Sequence, residues 1–413
     1  MRRLLLSFAL GTLILSGCGG KQRVAALDGL WQAQVEFPQL TMRLVLRFDA
    51  SDPKELQGFV MSPDAGDGEY AMSELMLDGK DISFTVSDLR ASFEGVIKDS
   101  AIAGALRLGP GEQQVVFSRI DEIARPLRPQ TPKPPYPYSA ENVRFTAGDA
   151  IIAGTMTLPK GDGPFDAVLL LQGVGGHDRD YNMQGHRPFL VISDYLTRQG
   201  FAVLRYDERG VGESSGDPSQ STTADFADDA RAAVSFLREQ DNIADIYAIG
   251  HSEGGTIATM LAAKGDIEKA VVLSAPGLSG IEYNVQFEQS MAEAAGIPDA
   301  QIEKRMAFQR SVLEHVTSDM DDAALYDTLR ILYASEFPDL PSERVEAGLR
   351  RFTSPWFRFS ATYEPSQTIA AIEIPTLFIF TEKDMHVPPA RNMDAVKEAA
   401  KGRTNIEIHL LPG

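Results

Sequence analysis

At 413 residues, with 43% apolar side chains, the chain is long enough for two or three domains and apolar enough to bury a real core, which excludes general disorder. Its formal net charge of −19 repels phosphate backbones, and no basic run is interleaved with aromatics, which excludes nucleic acid as a partner. The acidity reads as solubility.

The chain opens on MRRLLLSFALGTLILSGCGG: two arginines, an apolar run from Leu4 to Leu15, then small residues. This is the build of a secretory signal peptide, and the run is too short to stay in a bilayer as a spanning helix. The stretch LSGC resembles the bacterial lipobox, in which the leader is cut before the cysteine and the cysteine receives lipid. Cys18 is the only cysteine, so it has no disulfide partner within the chain and is expected to be the anchor. Residues 1–17 are therefore predicted to be a lipoprotein signal peptide. Gly19 and Gly20 point to a lipid-anchored protein on the periplasmic face of the outer membrane.

Residues 18–120 are predicted to form a small all-β domain. The segments TMRLVLRFD, LQGFVMS, DISFTVSD, SFEGVIK, AIAGALRLG and QQVVFSRI alternate apolar with polar and are separated by Gly, Asp and Pro, the signature of an antiparallel barrel or sandwich. Trp31, in DGLWQAQVEF, is expected to plug its core. Residues 121–138, with six prolines between Pro126 and Pro137, read as a stiff linker.

From residue 139 to 413 apolar strands alternate with amphipathic helices. DAVLLLQG, FAVLRYDERG, IADIYAIG, KAVVLSAPG, IPTLFIF and NIEIHLLPG are the strands, and the fold class is α/β with a mostly parallel sheet covered on both faces. The alternation breaks from residue 278 to 366, where helices follow one another with no strand between them, so this stretch is predicted to be an inserted helical cap.

Gly250-His251-Ser252-Glu253-Gly254 fits G-x-S-x-G between a strand and a helix. In that setting a sharp turn lifts the serine clear of the sheet and points a helix N-terminus at it, which makes Ser252 the candidate nucleophile. The oxyanion hole is expected to combine the backbone N–H of Glu253 with that of Val174, or alternatively Gly175, in QGVGGHDRD. Asp384, after the strand IPTLFIF, follows Ser252 in the chain order expected of the orienting carboxylate, with Glu382 as the weaker choice. His409 is the candidate base within the sequence, although it lies inside the final strand; His386 is the next choice. His177, Asp178, Asp180 and His186 have no metal-site spacing, and neither metal nor cofactor is expected. Asp207 and Arg209 read as loop-fixing ion-pair residues.

Taken together, DYLTRQGFAVLRYDERGVGESSGD, GHSEGG, SPWFRFS and TEKDMHVPP resemble the EstD-type carboxylesterases of the α/β-hydrolase superfamily, adjacent to serine aminopeptidase-like hydrolases, over about residues 138–413. The resemblance implies an α/β-hydrolase fold and a serine esterase acting on small-molecule esters. It also implies that an Asn-His pair follows LPG, so the sequence is expected to stop just short of its general base, which would lie beyond Gly413. The chain departs from the family at Thr381, where glycine is usual, and at His177-Asp178, where glutamine-aspartate is usual. Trp356 and Phe357 are expected either to shape the acyl pocket or to pack the base of the cap. The alternatives are a peptidase of the same fold and a non-catalytic envelope-binding lipoprotein.

Overall fold

The computed structural model describes residues 27–412 apart from 38–39, 52–55, 65–67, 90, 99, 109–110, 125–127, 184 and 339; the predicted signal peptide, Cys18 and Gly413 lie outside the described residues. The chain divides into two compact units, the first running to Pro129 and including Met183–His186, the second comprising Gln130–Asn182 and Arg187–Gly413. Among the described residues no helix is long and apolar enough to cross a membrane.

The first unit is one antiparallel sheet of nine strands: β1 Gly29–Phe37, β2 Leu40–Asp49, β3 Gln57–Met61, β4 Glu69–Ala71, β5 Ser73–Asp78, β6 Asp81–Val86, β7 Ala91–Lys98, β8 Ala101–Leu108 and β9 Gly111–Ile120. Their order is β4-β3-β2-β1-β9-β8-β7-β6-β5, so the two edge strands are chain neighbours separated only by Met72, and the sheet curls almost shut. The bend is eased where Gly95 faces Gly104: a Cβ on Gly104 would lie 2.4 Å from the Gly95 Cα. Trp31 is 1% exposed in the core, and its indole N–H donates to the Leu27 carbonyl at 2.8 Å. β4 has no buried residue, so its sequence carries no alternation to reveal it.

The second unit holds an eight-stranded sheet: β10 Ser139–Ala147, β11 Ala150–Leu158, β12 Phe165–Leu171, β13 Ala202–Tyr206, β14 Ile243–His251, β15 Lys269–Leu273, β16 Thr376–Thr381 and β17 Ile406–Leu411, in the order β10-β11-β13-β12-β14-β15-β16-β17. From β13 onward every pairing is parallel. The sequence reading began the sheet at β12 and missed the β10–β11 hairpin, which packs antiparallel on β13 and turns at Gly148, where φ is +59°. All five residues of β13 are buried, as expected of a strand covered on both faces.

Helices α1 Pro188–Arg198, α2 Thr223–Arg238 and α3 Glu253–Lys264 connect the central strands. The insertion comprises α4 Gly280–Ala294, α5 Asp299–Val316, α6 Asp322–Glu336, α7 Ser342–Phe352 and α8 Pro355–Thr362; α9 Pro365–Ala370 leads back to β16, and α10 Pro389–Ala399 joins β16 to β17. The insertion has its own apolar core, which includes Val312, Leu313, Leu329, Leu349 and Phe357. Of its helices, α6 and α8 were not read from the sequence.

Candidate active site

Ser252 stands between β14 and α3 with φ 54° and ψ −116°, a conformation that a side-chain-bearing residue holds only under constraint. The constraint is close packing. A Cβ on Gly250 would lie 2.0 Å from the Gly254 carbonyl oxygen, and one on Gly254 would lie 2.1 Å from the Leu171 oxygen. Only glycine lets α3 start that close to β12, which is the physical content of the G-x-S-x-G spacing. The Ser252 N–H still donates to Leu273 O at 2.8 Å, and its carbonyl accepts from Gly255 and Thr256, so the backbone is fixed on both sides. Among the described residues Ser252 Oγ has no hydrogen-bond partner.

The loop after β12 is tied down by several hydrogen bonds. Gln172 Nε2 donates to Tyr206 O at 2.7 Å, the Gly173 N–H donates to the Tyr181 hydroxyl at 3.1 Å, and His177 Nε2 lies 3.0 Å from Val174 O. The His177 N–H donates to the Glu208 carboxyl at 2.7 Å. Among the described residues neither the Val174 N–H nor the Glu253 N–H has an acceptor, and in the loop the same holds for Gly175 and Gly176. The first two are the groups named from the sequence as the oxyanion hole; Val174 itself is 53% exposed.

Asp384 lies three residues past β16 and is half-buried. Its Oδ1 accepts from the His386 and Val387 N–H groups, each at 2.9 Å, which fixes the carboxylate in its turn. Its charge reaches the imidazole of His251: burial lowers that pKa, and Asp384 opposes the shift. Neither histidine named as a base is brought to Ser252. His409 sits within β17 opposite Ile379, exposed, with Nε2 3.4 Å from Glu407. A residue inside a strand is held to one face by the pleat, and His409 is held on the face it shares with Glu407. The exposed His386 ring lies 5.6 Å from that of Phe287. Glu382 is exposed, its N–H donating to Leu411 O at 3.0 Å. The base expected beyond Gly413 falls outside the described residues, which run to Pro412.

Asp178 accepts from the Asp180 and Asn182 N–H groups, Asp180 pairs with Arg205, and Asp207 pairs with Arg179 at 2.6 Å. Arg209 binds Asp229 and Asp149, each at 2.6 Å, so Asp207 and Arg209 do fix the loop between β13 and α2.

A cavity of about 70 Å³ opens at Ser252. Val174 and Glu253 line it from the core, and Leu278, Tyr283, Phe359 and Tyr363 supply most of its apolar wall. Trp356 also lines it, whereas Phe357 is fully buried in the core of the insertion, 5.0 Å from Phe352. The two aromatics therefore divide the roles between them. The side chain of Glu253, which sequence reading passed over in favour of its N–H, accepts from Thr223 Oγ1 at 2.7 Å and from Trp356 Nε1 at 2.6 Å, and burial raises its pKa.

Glu208 was also missed, because nothing in DERG separates a buried carboxyl from an exposed one. Burial pushes it up to about 8. A folded-state pKa above the unfolded value means that the fold holds a proton which the unfolded chain has released, so stability is full below the ordinary glutamate range and falls as pH rises toward about 8. Glu208→Gln, which keeps an acceptor for the His177 N–H, is expected to flatten the loss of melting temperature across that window. An unchanged pH profile would contradict the buried, protonated state.

The chain is similar to known proteins over its second unit. The model of the serine aminopeptidase family, S33, matches residues 164–340. Esterase EstD of Thermotoga maritima is 25% identical over 260 residues, 62% of this chain and 55% of that protein. The uncharacterized protein YfhR of Escherichia coli is 32% identical over 143 residues, 34% of this chain and 48% of that one. The chain thus spans about half the length of these curated relatives. Among solved structures, the Pyrococcus furiosus esterase Pf2001 aligns with TM-score 0.44 at 17% identity, covering 67% of this chain and 83% of that one. Est1E from Butyrivibrio proteoclasticus, solved with ferulic acid, aligns with TM-score 0.41 at 18% identity, covering 66% and 89%. The chain is thus similar to the serine aminopeptidase family over residues 164–340 and to Esterase EstD over 62% of its own length.

Proposed function

We propose that this protein is a serine hydrolase that cleaves carboxylic esters through an acyl-enzyme on Ser252. One observation carries the reading: a strained serine with a free hydroxyl opens into an apolar cavity between two unused backbone donors, Val174 N–H and Glu253 N–H. In the reaction Ser252 Oγ attacks the ester carbonyl carbon while its proton passes to an imidazole. The carbonyl oxygen, now negative, is held by the two N–H groups and by the N-terminus of α3. The alcohol leaves with the proton, and water then attacks the acyl-enzyme by the same route to release the acid and restore the serine.

Asp384 is proposed to orient that imidazole and to stabilise it when charged. β16 and β17 run parallel to the pair Thr381–Leu411, and that end of the sheet adjoins the Asp384 turn, which is where an imidazole would serve Ser252. His409 lies two pairs further back, with its ring turned to Glu407.

The peptidase reading has one feature in its favour, the Glu253 carboxyl at the cavity wall, where a substrate amine would sit. Burial favours the neutral form of that carboxyl and both its neighbours are donors, so it is poorly suited to hold an ammonium, and esters are preferred. The lipid anchor at Cys18 and the placement on the outer membrane remain part of the proposal on the strength of residues 1–20 alone.

Ser252→Ala is expected to lower turnover of a short-chain acyl ester by at least about 10³-fold, with substrate binding retained; persistence of the rate would remove the acyl-enzyme. His409→Ala is expected to leave turnover unchanged, whereas a loss matching that of Ser252→Ala would make His409 the base. In a bacterial host, Cys18→Ala is expected to abolish metabolic labelling with palmitate and to release the protein from membranes; labelling that survives would refute the anchor.

A further inference from the structure

The two oxyanion donors come from segments joined by no backbone hydrogen bond at that level. β12 and β14 are paired only as far as Leu171 and Gly250. Past that point Gln172-Gly173-Val174 and His251-Ser252-Glu253 diverge, one into a loop and the other into a helix. A side chain that bridges them would set the spacing of the hole.

We propose that Tyr181 is that positioning residue: its phenol joins Gly173, which precedes one donor, to His251, which precedes the nucleophile. The inference rests on the esterase reading above. The hydroxyl accepts the Gly173 N–H at 3.1 Å and lies 2.9 Å from His251 Nδ1. Burial raises the pKa of Tyr181 and lowers that of His251, so the phenol keeps its proton and donates it to the neutral ring. The chain of bonds then runs one way, from Gly173 N–H to the Tyr181 oxygen and from its O–H to Nδ1, which leaves the His251 proton on Nε2.

Tyr181 is itself held firmly. It is 4% exposed, with ring centroids of His177 at 4.5 Å, Phe189 at 4.9 Å and His251 at 5.7 Å. Its φ is +56°, a strained value for a bulky residue, and its N–H donates to Asp178 O at 2.9 Å. Backbone strain concentrated on an aromatic that no step of the chemistry uses is explained if its hydroxyl must reach one fixed point. The bond also occupies the Gly173 N–H, which leaves the N–H groups that follow it, Val174 first, open to the substrate.

The test compares the wild type, Ser252→Ala and Tyr181→Phe in ester hydrolysis and in inhibition by a trifluoromethyl ketone, which forms an oxyanion on the serine. Tyr181→Phe keeps the ring packing and is expected to lower kcat by about 10–100-fold, a fraction of the loss seen when a whole oxyanion donor is removed. KM should stay within about twofold, and the ketone inhibition constant should weaken by about the same factor as kcat. Hydrogen exchange of the peptide spanning Gly173 should quicken. A merely structural role would alter the melting temperature and the active fraction but not the inhibition constant. Unchanged kcat and inhibition constant beside Ser252-dependent wild-type turnover would overturn the role of Tyr181 alone; absence of Ser252-dependent turnover in the wild type would overturn the esterase reading and this inference with it.

Discussion

The contact between the first turn of α3 and the end of β12 governs the second unit. Gly254 lies so close to the Leu171 and Gln172 carbonyl oxygens that a Cβ there would stand 2.1 and 2.3 Å from them, and the strand-to-helix turn has to be made within the single residue Ser252. The strain at Ser252 is of order 1–3 kcal/mol, small beside the burial of the strands and helices that impose it. Its return is chemical: the hydroxyl stands off the sheet, uncommitted, on the axis of a helix N-terminus.

The surroundings follow from that fixed point. The Gln172–Tyr181 loop has to keep an N–H free near Ser252 while holding its shape, and Tyr181, His177 and Glu208 hold it. The inserted helices have to cover an apolar cavity without losing their place, and Trp356 meets Glu253 beside the nucleophile to do so. Both Glu208 and Glu253 are carboxyls whose charged forms burial disfavours, so the acidity of the chain as a whole does not extend to an anionic active site.

Much of this was legible in the sequence where the signal is steric or periodic. The elbow was readable because glycine is the only residue that fits beside it, and the buried strands β12 to β16 because their apolar runs have no other home. The hairpin β10–β11 and strand β4 were not, since edge strands alternate weakly or not at all. The separate fates of Trp356 and Phe357, adjacent in the chain, depend on helix phase within the insertion, which local sequence does not fix. Tyr181 was invisible for a similar reason: a tyrosine in a polar loop has no periodicity, and its importance lies in how the fold sets it between Gly173, eight residues back, and His251, seventy residues on. His409 was read correctly as a strand residue, and its side chain faces Glu407 for that reason.

The central claim is that Ser252 becomes acylated. Protein quenched in acid during hydrolysis of an activated short-chain ester, digested and mapped by mass spectrometry, should carry the acyl group on the peptide containing Ser252 and nowhere else. Hydrolysis that proceeds with no adduct on Ser252, or with the acyl group on a different side chain, would contradict the account.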